Sequence, residues 1–561
     1  MKRMQGWLAL LVLGTANLLA AATQPTAGPG HAAIASAHHL ATDAGFEVLA
    51  AGGNAFDAAV AVTAALAVVE SSSSGIGGGG FWLLARASDG KQVMIDGREL
   101  APAAVDAKRY LDADGKLDRD RSINGALAAG IPGEPAALVH IAQHYGRLPL
   151  AKSLAPAIRL AREGYPMEAR MASMLAMRKD VMLRYPASRA VFFPHGKAPK
   201  LGALIRQPDL AKTLERLAVQ GFDGFYRGPT ATALVAGVRA EGGNWSLDDL
   251  ANYRVKEREP LRFRYHDFEL ISASPPSSGG VLLATILNIL EGYDFAALSR
   301  VDRVHLMVEA MRRAYRDRSY ILGDPDAVAM PIKLLTSKAY AAGLRSAIRL
   351  DRATPSSALP EGAVVAGGTD TTHFSIIDAE GNIAAVTASV NLPMGSGLIV
   401  PGTGVLLNNE MDDFALAANQ ANAYGLIGTD ANAPKPGKRM LSTMSPTIAF
   451  GKDRIAVIGT PGGSRIATMV LLGLIDFFEG GAPADFVAAK RIHHQYLPDV
   501  ISAEAGALTA EEVAALRAHG HSVSESERPW GNMNAVVWDL RSQQLTAGSD
   551  PRGLVGKAEV R

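Results

Sequence analysis

Residues 367–390 read GGTDTTHFSIIDAEGNIAAVTASV, and the rest of the chain is best understood outward from them. His373 to Asp378 alternates in character, AEGN supplies a turn, and Ile383 to Val390 returns, so the stretch predicts a β-hairpin. Thr371 stands at the start of the first strand, behind the flexible pair Gly367 and Gly368. A hydroxyl there is what self-cleavage needs to expose an N-terminal nucleophile. The Thr371 hydroxyl would attack the Asp370 carbonyl, the chain would shift to an ester, and water would release a new amino terminus. That amine then serves as base for its own hydroxyl. Two threonines at a strand start are usually just what β-propensity produces, so these residues alone are weak evidence for catalysis. A triad of Thr371, His373 and Asp378 is disfavoured, because neighbours two apart on a strand share a face at fixed offsets.

Upstream of about residue 365 the pattern is mostly helical, with amphipathic segments near 134–145, 150–163, 208–219, 282–291 and 303–316. The run from Ala55 to Val69 is apolar nearly all round; Asn54 is a good N-cap and Asp57 lies in the first turn, which predicts a buried core helix. Ala353 to Gly368 is small, Pro-containing and Gly-rich, as a surface connection is. Downstream, strands are predicted at Gly404 to Leu407, Thr447 to Phe450, Ile455 to Ile458 and Ala535 to Leu540. Helices first and strands later, with apolar strands that need cover on both faces, imply a layered sheet-on-sheet core flanked by helices.

Bulk properties narrow the function. Apolar residues at 48 % and charged residues at 20 % describe a folding chain, and a formal charge of +1 with scattered Lys and Arg excludes the basic stripe of a nucleic-acid binder. A small-molecule substrate is therefore expected. The chain has no Cys, which excludes thiol catalysis and thiolate metal sites. Lys2 and Arg3, the apolar run Trp7 to Leu19 and the small residues Ala20 to Ala22 predict a cleavable signal peptide over residues 1–22 and export.

Three other features have a structural and a chemical reading. SSSSGIGGGG, Ser71 to Gly80, could cradle an anion, but it lacks the Lys of a phosphate-binding loop and precedes its strand; a turn where backbones pack closely is favoured. The pairs His38 with His39 and His493 with His494 have no carboxylate at ligand spacing nearby, so structural histidines are expected. TPGGSR, Thr460 to Arg465, follows a strand, and its glycine amides can aim two N–H donors at one oxygen, as an oxyanion hole demands; a simple turn explains Pro-Gly-Gly equally well.

These motifs combine with DGREL (96–100), GIPGEPAAL (130–138), PPSSGG (275–280), LLNNEMDDF (406–414), STMSPT (442–447) and HHQYLPD (493–499). In this order the chain resembles the γ-glutamyltranspeptidases, or glutathione hydrolases, of the N-terminal nucleophile hydrolase superfamily, over nearly its whole mature length. The resemblance implies an α+β fold, a four-layer αββα sandwich. It also implies a precursor cut between Asp370 and Thr371 into a large subunit, 23–370, and a small catalytic subunit, 371–561, intertwined as one structural domain. Thr371 is then the nucleophile, and Gly462 and Gly463 supply the oxyanion-hole amides. Ser389 stands where the family commonly has a Thr near the nucleophile's amine. Arg98 would bind the substrate α-carboxylate with Ser442 and Thr443, the latter standing where many relatives have a second Ser. Asn391, Glu410 and Asp413 would hold the α-ammonium, since two acids facing one cation give charge-assisted bonds. Asn419 to Thr429, containing Tyr424, matches a lid.

The implied reaction transfers the γ-glutamyl group of glutathione or a related amide to Thr371, then to water or to an acceptor amino acid or dipeptide. No metal and no organic cofactor is implied. The expected location is the periplasm, with secretion as the variant. Two alternatives stand beside this reading. A glutaryl-type β-lactam acylase would need no ammonium site, which Glu410 and Asp413 argue against; a non-catalytic periplasmic γ-glutamyl or amino-acid binding protein would have no use for Thr371 and the Gly462–Gly463 pair.

Overall fold

The computed structural model describes residues 27–359, 371–417 and 420–561. Asp370, the Gly367–Gly368 pair, the signal segment and Asn419 lie outside the described residues. The strands that matter here are β1 (Ala33–Ser36), β2 (Gly79–Ala85), β3 (Gln92–Gly97), β4 (Lys256–Arg258), β5 (Leu261–Tyr265), β6 (Phe268–Ser272), β7 (Thr372–Ile377), β8 (Ile383–Ser389), β9 (Thr447–Phe450), β10 (Arg454–Gly459), β11 (Asn534–Asp539), β12 (Leu545–Ser549) and β13 (Lys557–Val560). They form two sheets, with strand orders β13-β1-β7-β8-β2-β3-β4 and β12-β11-β10-β9-β6-β5, antiparallel throughout. The molecule is thus a mixed α/β protein built on antiparallel sheets.

The predicted hairpin is β7–β8, with Ile383 opposite Ile377 and Thr387 opposite His373. It sits in the middle of the larger sheet, between β1, where Ala33 faces Ile377, and β2, where Gly79 faces Ser389. Both neighbours come from far upstream. Residues of β2 show why the hairpin is covered on both sides: in FWLLA, Trp82 and Leu84 enter one core while Phe81, Leu83 and Ala85 enter the other. A strand buried on both faces reads as a continuous apolar run, although its side chains still alternate.

The first core lies against helices α1 (His39–Ala50) and α2 (Ala55–Val69). Every residue of α2 is buried, as its sequence predicts. Its start is fixed by a reciprocal cap: the Asn54 side chain accepts from the amides of Phe56 and Asp57, and Asp57 accepts from Asn54 N at 3.0 Å. Asp378, at the end of β7, accepts a further bond from Ala55 N at 2.8 Å, so a carboxylate meets the positive helix end. The second core joins β7, β8, β10 and β11 to α3 (Gly279–Leu290), α4 (Arg300–Ile321) and α5 (Ile466–Phe478).

One expectation is corrected. Gly404 to Leu407 is not a strand: Gly404 has φ +68°, a side chain there would collide with the Leu210 backbone, and pairing is limited to one bridge between Ile399 and Leu406. The upstream half is mostly helical, as expected, and it also supplies six of the thirteen strands named above. These strands are short and fully apolar or mixed, so period-2 alternation does not announce them. The Ser71 to Gly80 run has the structural role expected: Gly77 and Gly78 press against the carbonyls of Leu406 and Ser389, leaving no room for a Cβ.

Candidate active site

Thr371 stands immediately before β7 and is 3 % exposed, with its Oγ1 3.2 Å from Ser389 Oγ at the end of β8. The hairpin register places the two hydroxyls side by side, since Ala388 pairs with Thr372. Ser389 Oγ also accepts from Asn391 N at 2.8 Å, which leaves it a proton and a second lone pair to share with the Thr371 hydroxyl. Asn391 has φ +76°, and the turn aims its side-chain amide at Asn409 O, 2.9 Å away.

Arg98 follows β3 and is 1 % exposed. Its guanidinium meets Glu410 at 2.7 Å, Asp413 at 2.5 Å and Glu99 at 3.4 Å. Burial draws this group down, but the three acids outweigh it, so Arg98 stays a firm cation. Burial pushes the Glu410 carboxyl well above its ordinary value against the pull of Arg98, and Glu99 is pushed up to about 7 for the same reason. Glu410 and Asp413 share one short 3-10 turn, Glu410–Asp413, which presents both acids to one cation.

Gly462 and Gly463 follow β10, with φ +145° and +56°. Both angles are available to glycine and strained for other residues. Tyr424 lies over this turn: a Cβ on Gly463 would strike its ring, and its hydroxyl donates to Asn391 O at 2.5 Å. Ser442 and Thr443 come from the segment between Met440 and β9; Ser442 pairs across to Ser277 beside α3.

One cleft is lined by Thr371, Ser389, Asn391, Arg98, Glu410, Asp413, Tyr424, Ser442, Thr443 and Gly463, together with Leu426, Met444 and Ile466. Gly462 stands next to it in the chain. Chemically the cleft joins a threonine hydroxyl, a turn of glycine amides, and an end carrying one guanidinium, two carboxylates and two hydroxyls. His373 and Asp378 do not join it. His373 binds Thr387 Oγ1 at 2.9 Å, and burial pushes it down to about 3, so it is neutral; Asp378 caps α2.

Residues 41–560 match the family described as Gamma-glutamyltranspeptidase. The chain belongs to the γ-glutamyltranspeptidase family. A glutathione hydrolase proenzyme from Pseudomonas sp. (strain A14) is 42 % identical over 551 residues, covering 96 % of each chain. The glutathione hydrolase proenzyme of Escherichia coli (strain K12) is 39 % identical, covering 93 % of this chain and 90 % of its own. Among solved structures, cephalosporin acylase from Bacillus halodurans superposes with a TM-score of 0.83 at 29 % identity, covering 95 % of this chain and 96 % of that one. The γ-glutamyltranspeptidase of Helicobacter pylori is 40 % identical with a TM-score of 0.56, covering 58 % of this chain and 94 % of its own.

Several residues at the cleft escaped sequence reasoning. Asn422 holds Asp413 at 3.0 Å, and Gln495 reaches the carbonyls of Tyr424 and Gly425 while accepting from Ser464 at 2.6 Å. Arg318, on α4, donates to Thr443 Oγ1. Gln495 lies inside the HHQYLPD motif and could have been singled out there. Arg318 is one of six arginines between Arg300 and Arg318 and carries no local signal. The histidine pairs also gain partners. His38 and His39 lie 3.1 and 2.9 Å from the carboxylate of Glu168, which no sequence spacing announces, and His494 lies 3.2 Å from Asp499. Those three residues, His38, His39 and Glu168, could hold a metal ion by donor type, yet His38 Nδ1 already accepts from Leu40 N and caps α1, in keeping with structural histidines.

Proposed function

We propose that Thr371 is the nucleophile of a γ-glutamyl transferase and glutathione hydrolase, made as a proenzyme that cuts itself between Asp370 and Thr371. The observation that carries this reading is the meeting of Thr371 with Arg98, Glu410, Asp413, Ser442 and Thr443 in one cleft. A γ-glutamyl group presents an α-carboxylate and an α-ammonium at one end and the scissile carbonyl at the other, and the cleft offers complementary groups in the same order.

With its amine freed, Thr371 takes its own hydroxyl proton through that amine, and Oγ1 attacks the γ-carbonyl. Ser389 steadies Oγ1. The oxyanion is met by the Gly462 and Gly463 amides, and its collapse expels the amine, such as cysteinylglycine from glutathione. Water or an acceptor amino acid or dipeptide then takes the acyl group from the ester. At the far end Arg98 and the Ser442 and Thr443 hydroxyls bind the carboxylate. Glu410, Asp413 and the Asn391 side chain bind the ammonium, and Tyr424 closes the cleft from solvent.

The finer architecture follows the same reading: a four-layer αββα sandwich with a large chain, 23–370, and a small chain, 371–561. The strand order supports a stable pair of chains. β7 and β8 lie between β1 and β2, so a cut before Thr371 leaves two chains joined by sheet hydrogen bonds, with no disulfide needed. The signal segment over residues 1–22 supports a periplasmic location, and among the described residues no helix is long and apolar enough to cross a membrane.

A second reading, deacylation of glutaryl-type β-lactams, has support in a relative named acylase ACY 1 proenzyme, 36 % identical over 526 residues. The paired acids Glu410 and Asp413 favour γ-glutamyl donors, because a glutaryl group brings no ammonium to bond with them. Turnover of γ-glutamyl-p-nitroanilide is expected to exceed that of glutaryl-p-nitroanilide by roughly 100-fold or more in kcat/KM; equal or reversed values would favour the acylase.

A further inference from the structure

Arg318 projects from the last turns of α4 and is 4 % exposed. Buried guanidinium groups elsewhere in this protein sit on carboxylates: Arg98 on Glu410 and Asp413, Arg312 on Asp499, Arg313 on Glu309, Arg439 on Asp96 and Arg491 on Asp550. Arg318 does not. Among the described residues no carboxylate lies within 4.0 Å of it, and its two hydrogen bonds go to hydroxyls, Ser278 Oγ at 3.2 Å and Thr443 Oγ1 at 3.4 Å. Burial holds its guanidinium down to about 10, with the charge of Asp413 the main opposing pull. It therefore remains a cation at neutral pH, in a place where an uncompensated charge is costly.

The surroundings show what would compensate it. Arg98 is already claimed by Glu410 and Asp413, so the named carboxylate-binding group enters with its charge taken. Arg318 stands behind the Ser442–Thr443 pair, and its other partner, Ser278, donates to Ser442 O at 2.8 Å. The Thr443 hydroxyl accepts from Arg318, which leaves its own proton to point elsewhere.

We propose that Arg318 is a positioning residue for the donor's α-carboxylate: it supplies the second positive charge at that end of the cleft and orients the Thr443 hydroxyl as a donor toward the carboxylate. The assignment rests on the γ-glutamyl reading given above. Its consequence is that affinity for the donor, rather than the chemical step, depends on a residue buried behind the pocket wall.

The test uses the full-length protein after confirming by intact mass that each variant matures as wild type does. Steady-state hydrolysis of γ-glutamyl-p-nitroanilide is compared for wild type, Arg318→Gln, Arg318→Lys, Thr443→Val and the Arg318→Gln/Thr443→Val double variant. Arg318→Gln is expected to raise KM by about 10- to 100-fold while kcat changes less than about threefold, the size expected for loss of a charge-assisted contact. Arg318→Lys, which keeps the charge but cannot span both hydroxyls, is expected to raise KM a few-fold. The double variant should be little worse than Arg318→Gln alone, since the Thr443 hydroxyl is oriented only when Arg318 is present. Wild-type KM in Arg318→Gln, additive effects in the double variant, or a fall in kcat at unchanged KM would each overturn the assignment. Should Arg318→Gln fail to mature, Arg318→Lys decides: wild-type KM in it contradicts the proposal. Absence of turnover in wild type would instead contradict the functional reading itself.

Discussion

At Gly463 a single missing side chain serves two purposes. Its φ of +56° turns the chain after β10, and the space a Cβ would occupy is filled by the Tyr424 ring. Gly463→Ala therefore strains the turn and displaces the ring together. If the Gly463 amide helps hold the oxyanion, kcat for γ-glutamyl-p-nitroanilide falls by about 100-fold or more; a variant with wild-type kcat would remove Gly463 from the mechanism. The same locality explains why most of the cleft was readable in advance. Thr371, Ser389, Glu410, Asp413, Ser442, Thr443 and the glycine pair each lie within a short motif. Arg318 and Glu168 do not, because their roles depend on a helix or loop arriving from more than 100 residues away.

Among elements, legibility followed burial geometry. α2 was legible because an apolar run bounded by Asn54 and Asp57 has its start written into the sequence. β7 and β8 were legible because alternation, a turn and a return occur together. Where a strand is short or uniformly apolar, as in β1 and β2, periodicity says little. The strand expected at Gly404–Leu407 and not formed shows the converse: four residues with strand-like composition become a turn when a positive-φ glycine must pack against Leu210. The interleaving of β1 and β2 around β7 and β8 could not be read from sequence at all, since pairing partners lie about 300 residues apart.

For the whole molecule, buried histidines contribute to how stability changes with pH. Burial pushes His373 and His493 down to about 3 and His494 down to about 4. Unfolded, each titrates near about 6.5. Above that pH they are neutral in both states and their contribution is complete. Below it the unfolded chain takes up protons that the folded chain refuses, so stability falls, by up to about 1.4 kcal/mol per pH unit for each histidine, until the folded values are reached. Glu99 and Glu410, whose carboxyls burial pushes up, act in the opposite sense between pH 7 and 4.5, so the histidine share is read from a variant. The midpoint of thermal unfolding of His493→Gln relative to wild type is expected to rise as pH falls from 7 to 4.5, and a difference that stays constant over that range would contradict the buried neutral state.

The central claim concerns one peptide bond, and it is tested by the intact denaturing mass and N-terminal sequences of the chain expressed from about residue 23. The account predicts a fragment beginning TTHFSIID, with Thr371→Ala abolishing both the cut and γ-glutamyl-p-nitroanilide turnover. A wild-type protein that stays one chain, with Thr371 internal and no free amine to serve as base, would contradict it.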